Sequence, residues 1–336
     1  MRTGSGQAGD TPAATQPAGP APDLPDARSW LITWHGDLLT RVDQLDWLRS
    51  LNDWLTAVLG PVRERYQDNL ALELLHGGRW VGHPLHPALS DLPIGLWTSA
   101  TILDVTGRGP APAARPGLDA AGVLSAAGTL AAGATALTGL TDWTVSNDQD
   151  RRVGLFHGLL NTAALGLQSA SLAARMTGHR STGRALGAAG LAVTAGAAYF
   201  GGHLVFTKGV MVNRVGWAAG PRRWVRALEE ADLPDDSPVA VEAEGRQVLL
   251  YRHDGALYAI DNICSHAGGL LNRGPVANLI VTCPLHGSRF SLADGCVLRG
   301  PASQPQPVLR TRIRNGWIEV RGSQPASRRA KERTKP

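Results

Sequence analysis

Three stretches of the chain, residues 120–141, 154–174 and 185–207, carry no Asp, Glu, Lys or Arg. Each has the roughly 20 apolar residues that a helix needs to cross about 30 Å of hydrocarbon. A fourth run, 87–106, is weaker because Asp91 and Asp104 shorten it. Ala192 with Gly196, and Gly122 with Ala126, have the small-xxx-small spacing that lets membrane helices approach closely. The pattern predicts four transmembrane helices; a soluble, Ala-rich helical domain is the alternative. Upstream, Leu38, Val42, Leu45, Leu48, Leu51, Leu55 and Leu59 recur at three- and four-residue steps and predict a helix over 36–59. It either packs its apolar stripe on the protein or lies at a membrane interface, where Trp47 and Trp54 are favoured.

After Lys208 the period changes. Val239 to Tyr251 reads as a pair of β segments, and Asp254-Gly255, Asp294-Gly295 and Asn315-Gly316 are hairpin dipeptides tolerant of positive φ. Leu309, Thr311 and Ile313 alternate with Arg310, Arg312 and Arg314, as in a half-buried strand with a basic face. That face is either a solvated edge that discourages strand pairing or a steering surface for an acidic partner. The expected fold is therefore multidomain, an N-terminal all-α four-helix transmembrane bundle followed by a small all-β domain. Its parts are a disordered tail (1–27), an amphipathic helical region (28–75), the membrane domain (76–207), a basic linker (208–236), the β domain (237–322) and a disordered basic tail (323–336).

Composition narrows the function. The net charge of +5 is modest, and no stretch interleaves basic and aromatic residues, so no nucleic-acid partner is expected. Three cysteines, Cys264, Cys283 and Cys296, are an odd set for a disulfide framework and suit metal ligation in a reducing compartment. The first thirty residues have neither a secretory apolar core nor a twin-arginine pair. Insertion would rest on the apolar segments themselves.

The chemistry is concentrated in Cys264-Ser265-His266 and Cys283-Pro284-Leu285-His286-Gly287. Each loop offers one thiolate and one imidazole. Zinc also accepts two Cys and two His, but zinc modules usually set Cys beside Cys and His beside His. C-x-H followed by C-x-x-H-G within a β domain resembles the Rieske iron–sulfur family over residues 237–322. The run His286-Gly287-Ser288-Arg289-Phe290 and the later Gly300-Pro301-Ala302, similar to the family's proline-bearing third loop, add to the likeness. The resemblance implies a [2Fe–2S] cluster whose ligands are Cys264, His266, Cys283 and His286, with two Cys on one iron and two His on the other. High-potential members have two further cysteines that join these loops by a disulfide; here Gly269 and Leu285 stand near those places. Ser288 is available to hydrogen-bond a sulfur, whereas Phe290 has no hydroxyl. A ferredoxin-like potential is expected, and by the resemblance it should vary with pH through the ligand imidazoles. Cys296, alone in a turn, reads as a fortuitous small residue.

Gly82-His83-Pro84-Leu85-His86-Pro87 and Asp91-Leu92-Pro93-Ile94-Gly95 resemble a family of small four-helix bacterial membrane domains, over roughly 70–207. That likeness implies no chemistry. Alternating helices would gather His83, His86, Asp142, His157 and His203 at one end, with His179 at the other, and put both termini on the histidine side. Three readings follow: mutual hydrogen bonding, haem b held by a pair such as His157 and His203, or a quinone pocket. Orientation signals conflict. Arg108, Arg115, Arg175, Arg180 and Arg184 lie on the far side, while Arg151, Arg152 and the basic connector lie on the near side. The lack of an export signal favours a cytoplasmic β domain.

The reading as a whole is a Rieske electron-transfer protein anchored in the lipid bilayer. It would pass single electrons between a quinol or haem donor and a soluble redox partner protein. No facial triad of two His and a carboxylate follows the motif, so no substrate-transforming site of its own is expected. Alternatives are the ferredoxin component of an oxygenase, or a redox sensor.

Overall fold

The computed structural model describes residues 38–42, 44–66, 69–107, 118–217 and 220–322. The expectations for the two tails, and for Arg108 and Arg115, fall outside these residues. Met1–Val42 and Asp43–Pro336 are separate compact units, and in the first the described residues, 38–42, are helical.

The second unit begins with α1 (Asp46–Tyr66) and α2 (Leu70–His76). The helix expected over 36–59 is thus interrupted before Asp46 and continues seven residues further than its apolar period, to Tyr66. Asn69 caps α2 by accepting the Ala71 N–H at 2.9 Å, and Gly77 ends it in the left-handed region at φ 85°. Four longer helices follow: α3 (Leu85–Thr106), α4 (Ala120–Thr144), α5 (Asp148–Met176) and α6 (Arg180–Phe206). Each packs on the next, and α3 against α6 closes the ring.

Small residues do bring the helices together, though not the pairs expected. A Cβ on Gly183 would lie 2.6 Å from Arg175 Cγ, and one on Gly190 would lie 2.9 Å from Gln168 Nε2. Across the same contact Ser171 Oγ donates to the Gly183 carbonyl at 2.6 Å, and Gln168 Nε2 to that of Gly187 at 3.0 Å. Gly196 faces open space, and Gly122 meets only Leu118 and Asp119 of its own entry turn. Spacing identifies a small-residue stripe, but which face meets a neighbour depends on helix rotation.

At one end of the bundle the arginines are paired. Arg175 forks onto Asp104, Arg180 Nη1 reaches Asp119 at 3.1 Å, and Arg184 Nε lies 3.4 Å from Asp104. Ion pairing inside a low-dielectric bundle offsets the cost of burying these charges.

Only α4 and α6, among the described residues, are long and apolar enough to cross a membrane. The expectation of four such helices is therefore met by two. Asp91 and Asp104 interrupt α3, and α5 opens with Asp148-Gln149-Asp150-Arg151-Arg152 and carries Gln168, Ser171 and Arg175 inward. Just 28% and 22% of the apolar stretches of α4 and α6 are buried within the chain. Leu130, 80% exposed, and Val105, 81% exposed, point outward with them.

The β domain has ten strands: β1 (Val225–Glu229), β2 (Val239–Ala243), β3 (Arg246–His253), β4 (Ala256–Asp261), β5 (Val276–Ala277), β6 (Ile280–Thr282), β7 (Arg289–Ser291), β8 (Val297–Arg299), β9 (Leu309–Arg314) and β10 (Trp317–Gly322). They form antiparallel sheets in the orders β1-β10-β9, β2-β3-β4 and β5-β6-β7-β8. Strand β1 falls in the stretch expected as linker; it pairs with β10, which its short apolar run did not reveal. Asp254-Gly255 and Asn315-Gly316 turn their hairpins with positive φ at both positions, whereas in Asp294-Gly295 only the glycine does so. The alternation on β9 fails at two places. Ile313 is exposed, and Arg312 is half-buried over the Trp224 ring with Nε 2.6 Å from Glu319. One core, containing Leu249, Ile260, Leu271, Val281 and Phe290, ends at Cys264 and Cys283.

Gly183→Val should lower the stability of the detergent-solubilised protein by about 1–3 kcal/mol through overpacking against Arg175. Gly196→Ala should leave it unchanged or raise it by up to about 1 kcal/mol. Thermal melts of the two variants check both.

Candidate metal centre

Two loops of the β domain are built to one plan. In the first, after β4, the Cys264 N–H donates to the Gly269 carbonyl at 2.8 Å, and Gly268 N–H returns to the Cys264 carbonyl at 3.0 Å. In the second, between β6 and β7, Cys283 N–H donates to Ser288 at 2.8 Å and Gly287 N–H to Cys283 at 3.0 Å. Gly268 (φ 79°) and Gly287 (φ 74°) occupy the left-handed region that lets each loop fold back on its cysteine. Outer bonds hold the first loop in place. Asp261 Oδ1 accepts the Ile263 N–H at 2.7 Å, and Arg246 Nη2 sits 2.5 Å from the other oxygen of Asp261. Asn262 and Asn272 exchange two further bonds, at 2.8 and 2.9 Å.

The loops bring the four expected residues together as two pairs, cysteine with cysteine and histidine with histidine. Cys264 is 1% exposed and Cys283 3%, and their sulfurs are hydrogen-bonded to each other. The rings of His266 and His286 stand edge to face with centroids 5.0 Å apart. As thiols the cysteines would share a proton: the bond from Cys264 draws Cys283 down to about 7, and the same bond, with burial, pushes Cys264 well up. A thiolate is thus available near neutral pH, the form that ligates metal. Burial holds His266 well below the usual imidazole range, with the charges of His286, His76 and Arg214 adding to it. It is therefore neutral, as a ligand must be. Two thiols and two imidazoles, set as a sulfur pair and a nitrogen pair, are a donor set that fits a two-iron cluster.

A third loop closes over the site. Ala302 N–H donates to Ser288 Oγ at 2.9 Å, and Ser265 Oγ donates to the Gln304 carbonyl at 2.7 Å. A Cβ at position 269 would lie 2.9 Å from both Cys283 Sγ and Leu285 Cγ. Positions 269 and 285 do therefore face each other, and Leu285 fills the space between the loops.

Residues 223–312 match the model of the Rieske [2Fe-2S] domain. The ferredoxin component of the naphthalene 1,2-dioxygenase system of Pseudomonas putida is 30% identical over 93 residues, 28% of this chain and 89% of that protein. The chain belongs to the Rieske [2Fe–2S] family. A Rieske domain implies a [2Fe–2S] cluster and one-electron transfer. The cytochrome b6-f complex iron-sulfur subunit of Chlorobaculum tepidum is 30% identical over 90 residues, 27% of this chain and 49% of that subunit. Among solved structures, the ferredoxin of carbazole 1,9a-dioxygenase from Nocardioides aromaticivorans is 29% identical, with a TM-score of 0.29, covering 30% of this chain and 98% of its own. Residues 82–214 match a second family, described as a predicted membrane protein (DUF2231). The Rieske match starts fourteen residues before the expected boundary at 237 and so takes in β1.

In the helical domain His83, His86 and His157 each bond a backbone carbonyl. His86 Nδ1 bonds the Thr135 carbonyl at 3.0 Å and His157 Nδ1 that of Ala197 at 2.8 Å; His83 Nδ1 bonds Pro84 at 2.9 Å. The His86 ring stands 6.2 Å from that of His157 between centroids, and Asn161 Nδ2 lies 3.1 Å from His157 Nε2. The pairing of His157 with His203 as haem ligands gains no support. Sequence reasoning passed over His76, which is 1% exposed. Its Nδ1 lies 2.6 Å from Asp142 Oδ1 and its Nε2 2.8 Å from the Pro301 carbonyl. The available signal was His76-Gly77-Gly78, a histidine at a helix end followed by the glycine stop.

Gly269→Ala should drive a methyl into the Cys283 sulfur and cut cluster loading several-fold. Iron per chain and visible absorbance measure that loss; Leu285→Ala, which opens space, should retain the cluster.

Proposed function

We propose that the chain is a membrane-anchored Rieske electron carrier in which Cys264 and Cys283 hold one iron and His266 and His286 the other. The paired arrangement of two thiols and two imidazoles on matched loops carries this reading. The cluster, when bound, supplies one-electron chemistry. The protein's part is to keep His266 dry and neutral, to expose His286 partly, and to set the potential through its hydrogen bonds and burial. Ser288 accepts from Ala302, so its own proton remains to be donated toward a sulfur. No hydroxyl replaces Phe290, which is wholly buried. A midpoint in the lower part of the roughly −150 to +300 mV Rieske range is expected.

Outward-facing apolar helices α4 and α6, and the match to a membrane-protein family, support anchoring in a bilayer. In this reading α3 and α5 complete a multi-pass bundle, their polar groups turned inward. The Rieske domain lies on the cytoplasmic side and exchanges electrons with a membrane quinol and a soluble redox protein. A second reading, electron supply to a soluble oxygenase, is favoured by likeness to the naphthalene dioxygenase ferredoxin. Turnover with quinol against turnover with an oxygenase separates the two.

EPR and iron analysis of detergent-purified protein should show two irons per chain and a reduced Rieske signal. Zinc with no EPR signal in protein that is freshly purified would sink the assignment. Protease added to inverted vesicles should release the C-terminal domain, and protease added to intact cells should not.

A further inference from the structure

The Rieske domain and the helical domain meet at the third loop, and polar contacts join them at each step. Gly300 N–H lies 3.4 Å from Glu73 Oε1, Gln304 Nε2 donates to the Gly82 carbonyl at 2.5 Å, and Arg214 N–H donates to the Ser265 carbonyl at 3.0 Å. At the centre is the buried His76, which holds Asp142 of α4 and Pro301 at once. We propose that His76 is a positioning residue for the cluster: braced by Asp142, it holds the Pro301 loop over the cluster ligands and makes the helical domain part of the cluster's electrostatic environment. This rests on the Rieske assignment above.

The proton count follows from the partners. A carbonyl only accepts, so Nε2 facing Pro301 carries a hydrogen. One more hydrogen must lie between Nδ1 and the Asp142 carboxyl, 2.6 Å apart. The Asp142 carboxyl polarises the ring from one side, and Nε2–H turns its positive end toward the Pro301 loop on the other. A positive end directed at the cluster favours the reduced state, which is one unit more negative. Access follows too. With His76 1% and His266 7% exposed, the His266 side of the site is closed to solvent, and His286 is the more exposed of the two imidazoles.

Two variants separate docking from charge. In Asp142→Asn the amide can donate to Nδ1 while Nε2–H still reaches Pro301, so the contact survives without the carboxylate. His76→Ala removes both bonds. In the full-length protein, with cluster content checked by iron and EPR, both variants should lower the midpoint potential. Only His76→Ala should speed hydrogen exchange of residues 300–304, by tenfold or more. Should His76→Ala fail to hold its cluster, Asp142→Asn alone decides the electrostatic part. A loaded Asp142→Asn protein with wild-type potential, or a loaded His76→Ala protein with wild-type potential and exchange, overturns the proposal. Wild-type protein without a Rieske EPR signal would instead overturn the assignment beneath it.

Discussion

Two irons joined by sulfides need a pair of soft anionic ligands on one side and a pair of neutral nitrogens on the other, held with little freedom. Everything near the site answers to that requirement. Thiols must be buried to exclude water, yet be able to lose protons, and the bond between Cys264 and Cys283 reconciles the two by lowering one at the other's expense. Imidazoles must stay neutral, and burial of His266 does so. The loops are held by their own backbone N–H groups, which leaves few buried donors unpaired and lets short hairpins carry a rigid tip.

That tip is built outward from a core rather than laid on a surface. Phe290, Val281, Leu271 and Leu249 are fully buried directly beneath the cysteines. Packing at crystal-like density leaves the loop bases no room to shift. A glycine at 269 is then a steric demand, because a methyl there would meet the Cys283 sulfur. The same residue stands opposite Leu285, so this chain closes the gap between its loops with an apolar side chain.

The helical domain obeys a different constraint. Its polar groups lie inside or at the ends, where they find partners: Gln168 and Ser171 on the carbonyls of α6, Arg175 on Asp104, His86 and His157 on backbone oxygens. The exposed positions along the middle of α4 and α6 are apolar. His76 belongs to both domains, since one nitrogen serves the bundle and the other the Rieske loop. A histidine suits that place because it offers two hydrogen-bonding nitrogens on opposite sides of a rigid ring.

The pairing of Cys264 with Cys283 and of His266 with His286 on matched loops was legible in the sequence because C-x-H and C-x-x-H-G are local: a hairpin tip fixes which side chains it presents, whatever surrounds it. Hairpins at Asp254-Gly255 and Asn315-Gly316, and the division into a helical and a β part, were legible for the same reason. Tertiary structure alone decided the rest. Strand β1 was hidden because five residues pair only with a strand some ninety positions away. The glycines that let α5 meet α6 were misplaced because helix rotation is not encoded in spacing, and the alternation on β9 failed where Trp224 and Glu319 drew Arg312 inward. His76-Gly77-Gly78 marks only a helix end; the role of His76 was not legible because Asp142 and Pro301 lie 66 and 225 residues away, and no local pattern announces a bond that exists only after two domains have packed.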